Sequence, residues 1–199
     1  MRKSPAQSVS RAIAMAGVLG LLAAGVLACG GCRGTGVVSG SREASASQEM
    51  TVGQFPESEP TPGKPPPPPM LTKPESSVYS YLLWISYAYR VLNSDVAVAA
   101  FSPYEEVRVS SYVEYNREQG RAIDQRLVGQ IVRSVSSEGA TSTVATVDAW
   151  KYRYIDIKTG KYSSPIHDAS YDSTYTLVKS DKGWLVDSVK ATAKGSAPK

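Results

Sequence analysis

The sequence predicts one α+β domain over residues 75–191, with N-terminal helices packed on a curved, cone-like antiparallel sheet. All 12 tyrosines and all three tryptophans lie between Tyr79 and Trp184, whereas only two of the 13 prolines, Pro103 and Pro165, lie there. Aromatic side chains supply much of a hydrophobic core, and proline-rich tracts do not. A helical apolar period precedes several alternating segments, and this order is typical of helices on an antiparallel sheet.

The first helix is predicted to begin at Pro74-Glu75-Ser76. Apolar residues then recur every three or four positions, at Val78, Tyr81, Leu82, Ile85, Ala88, Tyr89 and Leu92. This spacing is typical of an amphipathic helix with a wide apolar stripe. Asn93-Ser94-Asp95 then ends the helix and caps a short second helix that reaches Phe101.

The segment after Phe101 fits both a helix and a strand. Ser102-Pro103-Tyr104-Glu105 combines an N-cap, a first-turn proline and a capping-box glutamate. A mostly alternating, strand-like set is Val107, Val109, Val113 and Tyr115. A competing helical face is Tyr104, Val107, Ser111, Tyr112 and Tyr115. Because the cap is specific and Gly120 is a natural stop, we expect a helix to about Gln119.

Four strands are predicted in the second half of the chain, at Leu127–Val135, 144–154, Tyr171–Lys179 and Trp184–Val189. Turn signals separate them, at Ser137-Glu138-Gly139, Lys158-Thr159-Gly160-Lys161 and Asp181-Lys182-Gly183. The second strand alternates strictly. One of its faces holds Val144, Thr146, Asp148, Trp150, Tyr152 and Tyr154.

Residues 1–28 have the pattern of a secretory signal peptide. Residues 1–11 carry three basic side chains and no acid, and residues 12–28 carry no charge. The sequence Val26-Leu27-Ala28-Cys29 is similar to the lipobox of bacterial lipoproteins. That resemblance implies that Cys29 is acylated, with Cys32 as a weaker second position. An uncleaved transmembrane anchor over residues 12–28 is the alternative, and both readings place the domain on the extracytoplasmic side of a cell membrane.

Residues 29–74 are predicted to be a disordered tether, and residues 192–199 a disordered tail. The tether is rich in Gly, Ser, Thr, Glu and Pro, and it buries too little apolar surface to offset its ordering entropy. It contains five consecutive prolines, Pro65 to Pro69. That run is expected to form a stiff polyproline II spacer, with a role as a proline-rich ligand as the alternative.

The charge pattern argues against a nucleic-acid partner. The net charge is +4, but three of the 22 basic residues lie within residues 1–11, and the remainder has 19 basic and 18 acidic residues. A nearly neutral chain attracts a phosphate backbone only weakly. The sequence has one histidine, His167, and no cluster of metal-ligand type. We therefore expect no nucleic acid, no metal and no cofactor, and we assign no catalytic residue.

Three groups of residues in the second half form a recognisable pattern. They are Val144, Thr146, Val147 and Asp148 leading to Trp150–Tyr154; Tyr171, Tyr175, Leu177 and Val178; and Gly183, Trp184 and Val186. With the order of elements, this pattern resembles the nuclear-transport-factor-2-like (NTF2-like) cone fold. It resembles more closely the intermembrane-space domain of plastid and cyanobacterial division proteins. The resemblance implies a non-catalytic docking domain that receives a partner's segment in its cavity.

A pocket between the helices and the sheet is therefore expected to bind a protein segment or a small apolar ligand. The excess of tyrosine over phenylalanine, 12 against 2, favours a binding surface, since tyrosine is enriched at interfaces. The predicted lining is Trp84, Tyr112, Tyr115, Asp148, Trp150, Tyr152 and Tyr175. One alternative is an isomerase- or hydratase-like enzyme, as cone folds can host, with Asp148 as a buried base. The other alternative is a passive spacer or homodimerisation domain.

Overall fold

The computed structural model describes residues 59–60 and 63–194. Helices precede strands along the chain, as the sequence predicts. The elements are α1 (Pro74–Val91), a short 3-10 helix (Asp95–Ala100), α2 (Pro103–Glu118), β1 (Arg121–Glu138), β2 (Thr141–Asp156), β3 (His167–Ser180) and β4 (Gly183–Ala193). The predicted signal peptide, Cys29, Cys32 and most of the tether lie outside the described residues. Within the described residues, no helix is both long enough and apolar enough to cross a membrane.

The four strands form one antiparallel sheet in the order β1-β2-β3-β4. Its register shifts between Leu127 and Gly129, between Val132 and Ser134, and between Thr176 and Leu177. An extra residue on one strand bends that strand and increases its twist. The predicted α+β class, with helices packed on a curved antiparallel sheet, is confirmed.

Helix α1 supplies most of the helical contribution to the core. Pro74 lies in its first turn, and Leu92 ends it in the left-handed conformation with φ of 52°. Its buried residues follow the predicted stripe, with two serines beside it: Ser77, Val78, Ser80, Tyr81, Leu82, Ile85, Ala88 and Tyr89. They belong to the same buried cluster as Val144, Leu177 and Val186 of the sheet. The apolar period therefore predicts both the helix and the face that it buries.

Helix α2 begins at the predicted cap. The Ser102 hydroxyl accepts the backbone N–H groups of Tyr104 at 3.2 Å and Glu105 at 3.4 Å, and it donates to Asp187 of β4 at 2.6 Å. The helix ends at Glu118, and Gly120 follows with φ of 69°. The helical interpretation is confirmed, because a capped helix start outweighs a short alternating pattern.

Every strand is longer than predicted, and β3 begins at His167 and not at Tyr171. β1 begins at Arg121 and not at Leu127, and β4 continues to Ala193, past the start of the predicted tail. The first residues of β1 include charged side chains that obscure the strand pattern. Asp124 is buried in spite of its charge, because it forms an ion pair with Arg90 of α1 and accepts the Tyr162 hydroxyl at 2.6 Å.

The end of the predicted tether also differs from expectation. Residues 67–71 make hydrogen bonds to the domain through Pro67, Met70 and Leu71, so this short stretch is not a free coil. Nothing in the sequence of the tether indicates these contacts, because their partners lie on α1 and at the start of β4.

Candidate functional site

Tyrosines from α2 and from the sheet form one cluster, which we call the aromatic rim: Tyr112, Tyr115, Tyr152, Tyr154 and Tyr171. The rings of Tyr112 and Tyr115 are stacked with centroids 6.4 Å apart, and those of Tyr152 and Tyr154 meet edge to face at 5.8 Å. Tyr112 lies close enough to Tyr154 and Tyr171 to interact with them electrostatically. The rim therefore connects one helix with two neighbouring strands.

The register of the sheet explains why the strand tyrosines meet. Tyr152 and Tyr154 follow Asp148 and Trp150 on the same face of β2, and β3 pairs so that Tyr171 lies opposite Asp148. His167 lies opposite Tyr152, and the two rings stack at 5.0 Å. Side chains that alternate along one strand and pair across to the next share one face of a sheet.

Arg121 lies between the helix side and the sheet side of the rim. Its guanidinium is 4.1 Å from the ring centroid of Tyr154 and 5.9 Å from that of Tyr115. Its Nε donates to the side-chain oxygen of Asn116 at 3.1 Å, and Asn116 donates to the Tyr112 carbonyl at 2.8 Å. These cation–π contacts and hydrogen bonds fix the orientation of the rim tyrosines.

Two of the rim tyrosines, Tyr112 and Tyr152, stay neutral at ordinary pH, and Arg121 is the charged group near them. Burial raises the pKa of Tyr112 and that of Tyr152 above their usual values. Tyr112 and Tyr115 are nevertheless 39% and 44% exposed. The rim thus offers aromatic faces and neutral hydroxyl groups to a ligand, and both are suited to a peptide or a small apolar molecule.

A buried carboxylate lies deeper on the same face of the sheet. Asp148 is fully buried. One of its oxygens accepts the Tyr175 hydroxyl at 2.6 Å, and the other accepts the Gln130 amide at 3.0 Å. Burial and then the Asp148 charge raise the pKa of Tyr175 well above its usual value, so Tyr175 stays the donor. Both oxygens of Asp148 are engaged, and a substrate would have to displace one of these donors.

A second buried carboxylate lies on the helix side. Tyr81 of α1 donates its hydroxyl to Glu105 of α2, and Arg108 pairs with the same carboxylate. Glu105 is almost fully buried, whereas the side chain of Arg108 is half exposed. The Tyr81 ring meets that of Tyr175 edge to face at 6.2 Å, and this contact connects the two polar networks through the core.

The seven predicted pocket residues therefore divide into three places. Tyr112, Tyr115 and Tyr152 are in the aromatic rim. Asp148, Trp150 and Tyr175 are buried beneath the helices. Trp84 belongs to neither group, because it lies on α1 beside Tyr87 and donates its indole N–H to the Pro67 carbonyl. The prediction did not include Tyr154, Tyr171, Arg121 or His167. Alternation along β2 could have added Tyr154, whereas the other three depend on strand pairing.

A separate surface cleft of about 440 Å³ lies where α1, the 3-10 helix and α2 meet. Its lining is mostly polar and contains none of the seven predicted residues: Asn93, Ser94, Asp95, Ser110, Ser111, Val113, Glu114 and Arg117. Over residues 59–60 and 63–194, no group of three or more histidine, cysteine or carboxylate side chains is placed to hold a metal ion. The aromatic rim is the better candidate for binding, because its exposed groups are large and apolar.

No protein-family model and no curated protein sequence matches the chain. Solved structures do resemble it. The intermembrane space region of the chloroplast protein ARC6 is 14% identical with a TM-score of 0.47, covering 60% of this chain and 94% of that chain. An NTF2-like superfamily protein from Salmonella enterica serovar Typhimurium is 7% identical with a TM-score of 0.44, covering 62% and 93%.

A ketosteroid isomerase-like protein from Erwinia carotovora is also similar, at 15% identity and a TM-score of 0.40, covering 61% of this chain and 93% of that chain. The neighbours thus include NTF2-like proteins, the fold that the sequence predicts. A shared fold does not imply a shared function.

Proposed function

We propose that this chain is a lipid-anchored protein on the extracytoplasmic side of a cell membrane, whose domain binds a protein segment or a small apolar ligand without catalysis. Cys29 is the proposed site of lipidation. The binding role rests on one observation. Partly exposed tyrosines of α2 face tyrosines of the sheet across Arg121 and form the aromatic rim.

The rim has the properties of a binding surface. Covering the exposed part of a large aromatic side chain removes apolar area from water, and tyrosine keeps a polar tip for a peptide carbonyl. Mutual stacking and the Asn116–Arg121 contacts already order these side chains. A ligand therefore meets a preorganised surface, which lowers the entropic cost of binding.

Selection of peptides from a random library on the full chain tests the binding role. We expect enriched peptides that bind the wild type but lose at least tenfold in affinity for Tyr112→Ala/Tyr115→Ala. Tyr104→Ala is the matched control, since Tyr104 is on the same helix and 71% exposed. Peptides that bind all three proteins equally, or an effect as large in Tyr104→Ala, would contradict a role for the rim.

Metabolic labelling with palmitate tests the anchor. We expect label in the wild type and in Cys32→Ala, and none in Cys29→Ala. Label that persists in a Cys29→Ala/Cys32→Ala double variant would exclude lipidation at this sequence. Retention of the domain inside the cell would exclude the proposed localisation.

The burial of Asp148 supports a second candidate, an isomerase- or hydratase-like enzyme. A buried carboxylate next to a tyrosine donor is a known arrangement for proton transfer, but a base must also reach its substrate. A small cyclic enone that enters this site should displace Gln130 and shift the carboxyl carbon resonance of Asp148. An unchanged resonance at saturating enone would remove this candidate.

A passive spacer or homodimerisation role stays a prediction. Sedimentation of the full chain over a wide concentration range measures it directly. A constant sedimentation coefficient would exclude dimerisation at those concentrations, and it would leave the aromatic rim free for a different partner.

A further inference from the structure

The proline run of the predicted tether lies along α1. Residues 63–71 form no helix or strand. The Trp84 indole N–H donates to the Pro67 carbonyl at 3.1 Å, and the Met70 backbone N–H donates to the Ser80 hydroxyl at 2.9 Å. Both partners belong to α1, one helical turn apart. The run therefore follows the helix surface in the direction opposite to the helix.

Two half-buried prolines of this segment, Pro66 and Pro69, lie three residues apart, whereas residues 63–65 and 67–68 are exposed. Gly63, a further three residues back, lies close to α1, since a Cβ there would be 2.9 Å from Arg90 and 3.4 Å from Tyr87. A polyproline II helix has three residues per turn. One face of such a helix thus rests on α1, and the other two face solvent.

The segment is fixed a second time just before α1. The Leu71 carbonyl accepts the backbone N–H of Trp184 at 2.8 Å. Gly183, the preceding residue, has φ of 126°, and a Cβ there would overlap the Leu71 carbonyl oxygen. Glycine is therefore required at this turn by its conformation and by the close approach of the chain.

The chemistry of the contact is that of polyproline recognition. Proline lacks an N–H group, so the carbonyl is its one backbone hydrogen-bonding group. Trp84 provides an indole donor for that carbonyl, and Trp84 and Tyr87 form an edge-to-face pair with centroids 6.2 Å apart. Aromatic surfaces with such a donor bind proline-rich segments because the ligand is stiff before it binds.

We propose that Ser80, Trp84 and Tyr87 form a polyproline II binding site, which residues 63–70 of the same chain, with the Pro65–Pro69 run at their centre, fill. This site is separate from the aromatic rim. An occupant on the same chain has an effective concentration in the millimolar range. It therefore excludes weaker proline-rich ligands in solution and holds the end of the tether along α1. The ligand class is a proline-rich segment in polyproline II conformation.

Two double variants of the full chain form a matched pair. Pro66→Ser/Pro69→Ser changes the face that rests on α1, whereas Pro65→Ser/Pro68→Ser changes exposed positions and removes the same number of prolines. We expect the first pair to shift the Trp84 indole N–H resonance and to speed amide exchange at Trp184. The second pair should leave both nearly unchanged. Equal effects of the two pairs would overturn the proposal.

A synthetic peptide with the sequence of residues 63–72 tests recognition directly. When this peptide is added to the Pro66→Ser/Pro69→Ser variant, it should shift the Trp84 indole resonance saturably. Its apparent affinity should be at least tenfold higher than for the wild type, because the wild-type segment already occupies the site. Trp84→Phe in the same background should abolish binding, which titration calorimetry measures in both proteins because this variant lacks the indole reporter. Unchanged Trp150 and Trp184 indole resonances show that the variant is folded. The proposal fails if the peptide does not bind, or if it binds the folded Trp84→Phe variant equally well.

Discussion

The two long helices differ in how much of their apolar surface they bury. α1 buries an apolar stripe that includes Tyr81, Leu82 and Ile85. α2 buries only four residues, of which two are polar: Glu105, Val109, Val113 and Asn116. Four other large side chains of α2 are exposed, with Tyr104 at 71%, Val107 at 67%, Tyr112 at 39% and Tyr115 at 44%.

This difference shows how the molecule keeps aromatic side chains available for binding. α1 is held by the apolar area that it buries. α2 is held in addition by polar contacts at its two ends. Ser102 with Asp187 and Glu105 with Tyr81 lie at its start, and Asn116 with Arg121 lies at its end. Polar anchors thus replace part of the apolar contact, and the tyrosines of α2 can line the rim.

The largest effect is expected where a polar anchor of α2 is removed. Glu105→Ala deprives the buried Tyr81 hydroxyl of its acceptor and leaves a small cavity. It should lower the free energy of unfolding by about 3 kcal/mol. Glu105→Gln keeps an acceptor and should cost about 1–2 kcal/mol. Urea denaturation measures both variants, and a loss below about 1 kcal/mol for Glu105→Ala would show that the anchor is dispensable.

The next effect concerns the buried carboxylate of the sheet. Asp148→Ala leaves the Tyr175 hydroxyl and the Gln130 amide without their acceptor, at a cost of about 2 kcal/mol. Tyr175→Phe removes one donor and should cost about 1 kcal/mol. Since the two groups share a hydrogen bond, the double variant should lose less than the two single losses together. Additive losses in urea denaturation would contradict a coupled pair.

Local patterns in the sequence predict much of this arrangement. The serine N-cap and the first-turn proline predict the start of α2, because they lie within four residues. The predicted capping box is only half formed, since the Ser102 N–H donates to the Val186 carbonyl and the Glu105 carboxylate pairs with Tyr81 and Arg108 instead. Strict alternation in β2 predicts that Asp148, Trp150 and Tyr152 share a face, and all three face the helix side. These predictions succeed because they depend on backbone geometry over one or two turns or pleats.

Long-range contacts are not encoded in such patterns. The positions of His167 and Tyr171 depend on the register between β2 and β3, which are joined by an irregular connection over residues 157–166. Trp84 lies beside the apolar stripe of α1, and its partner Pro67 belongs to a segment with every compositional sign of disorder. The predicted pocket therefore included a residue from a different site.

Two tyrosines in contact, one from each helix, allow the desolvation of their rings to be compared through the pH dependence of the free energy of unfolding. Tyr89 of α1 is 5% exposed and Tyr112 of α2 is 39% exposed, and their rings are 4.9 Å apart. Burial raises the pKa of Tyr89 to about 12, above the value of about 10 in an unfolded chain. The unfolded state therefore loses the Tyr89 proton at a lower pH than the folded state does. The contribution of Tyr89 to the free energy of unfolding is complete below about pH 10 and declines as the pH rises towards 12.

The expected decline is about 1.4 kcal/mol per pH unit for one such tyrosine. Tyr89→Phe should make the alkaline loss of stability shallower by about that amount, because phenylalanine does not titrate. Tyr112→Phe should change the slope less, since its ring is partly solvated. Denaturation from pH 9 to 12 measures both slopes, and equal changes would mean that the two rings are equally desolvated in solution.

The smallest effect is expected on the exposed face of α2. Val107→Ala removes two methyl groups that already contact water, so it should change the free energy of unfolding by less than about 0.5 kcal/mol. Leu82→Ala, its counterpart on the buried face of α1, should cost about 3 kcal/mol. A loss above about 1 kcal/mol for Val107→Ala that grows with protein concentration would show that a second copy covers this face. In that case the tyrosines of α2 would belong to a homodimer interface, and the contrast between the helices would be one between a core and an interface.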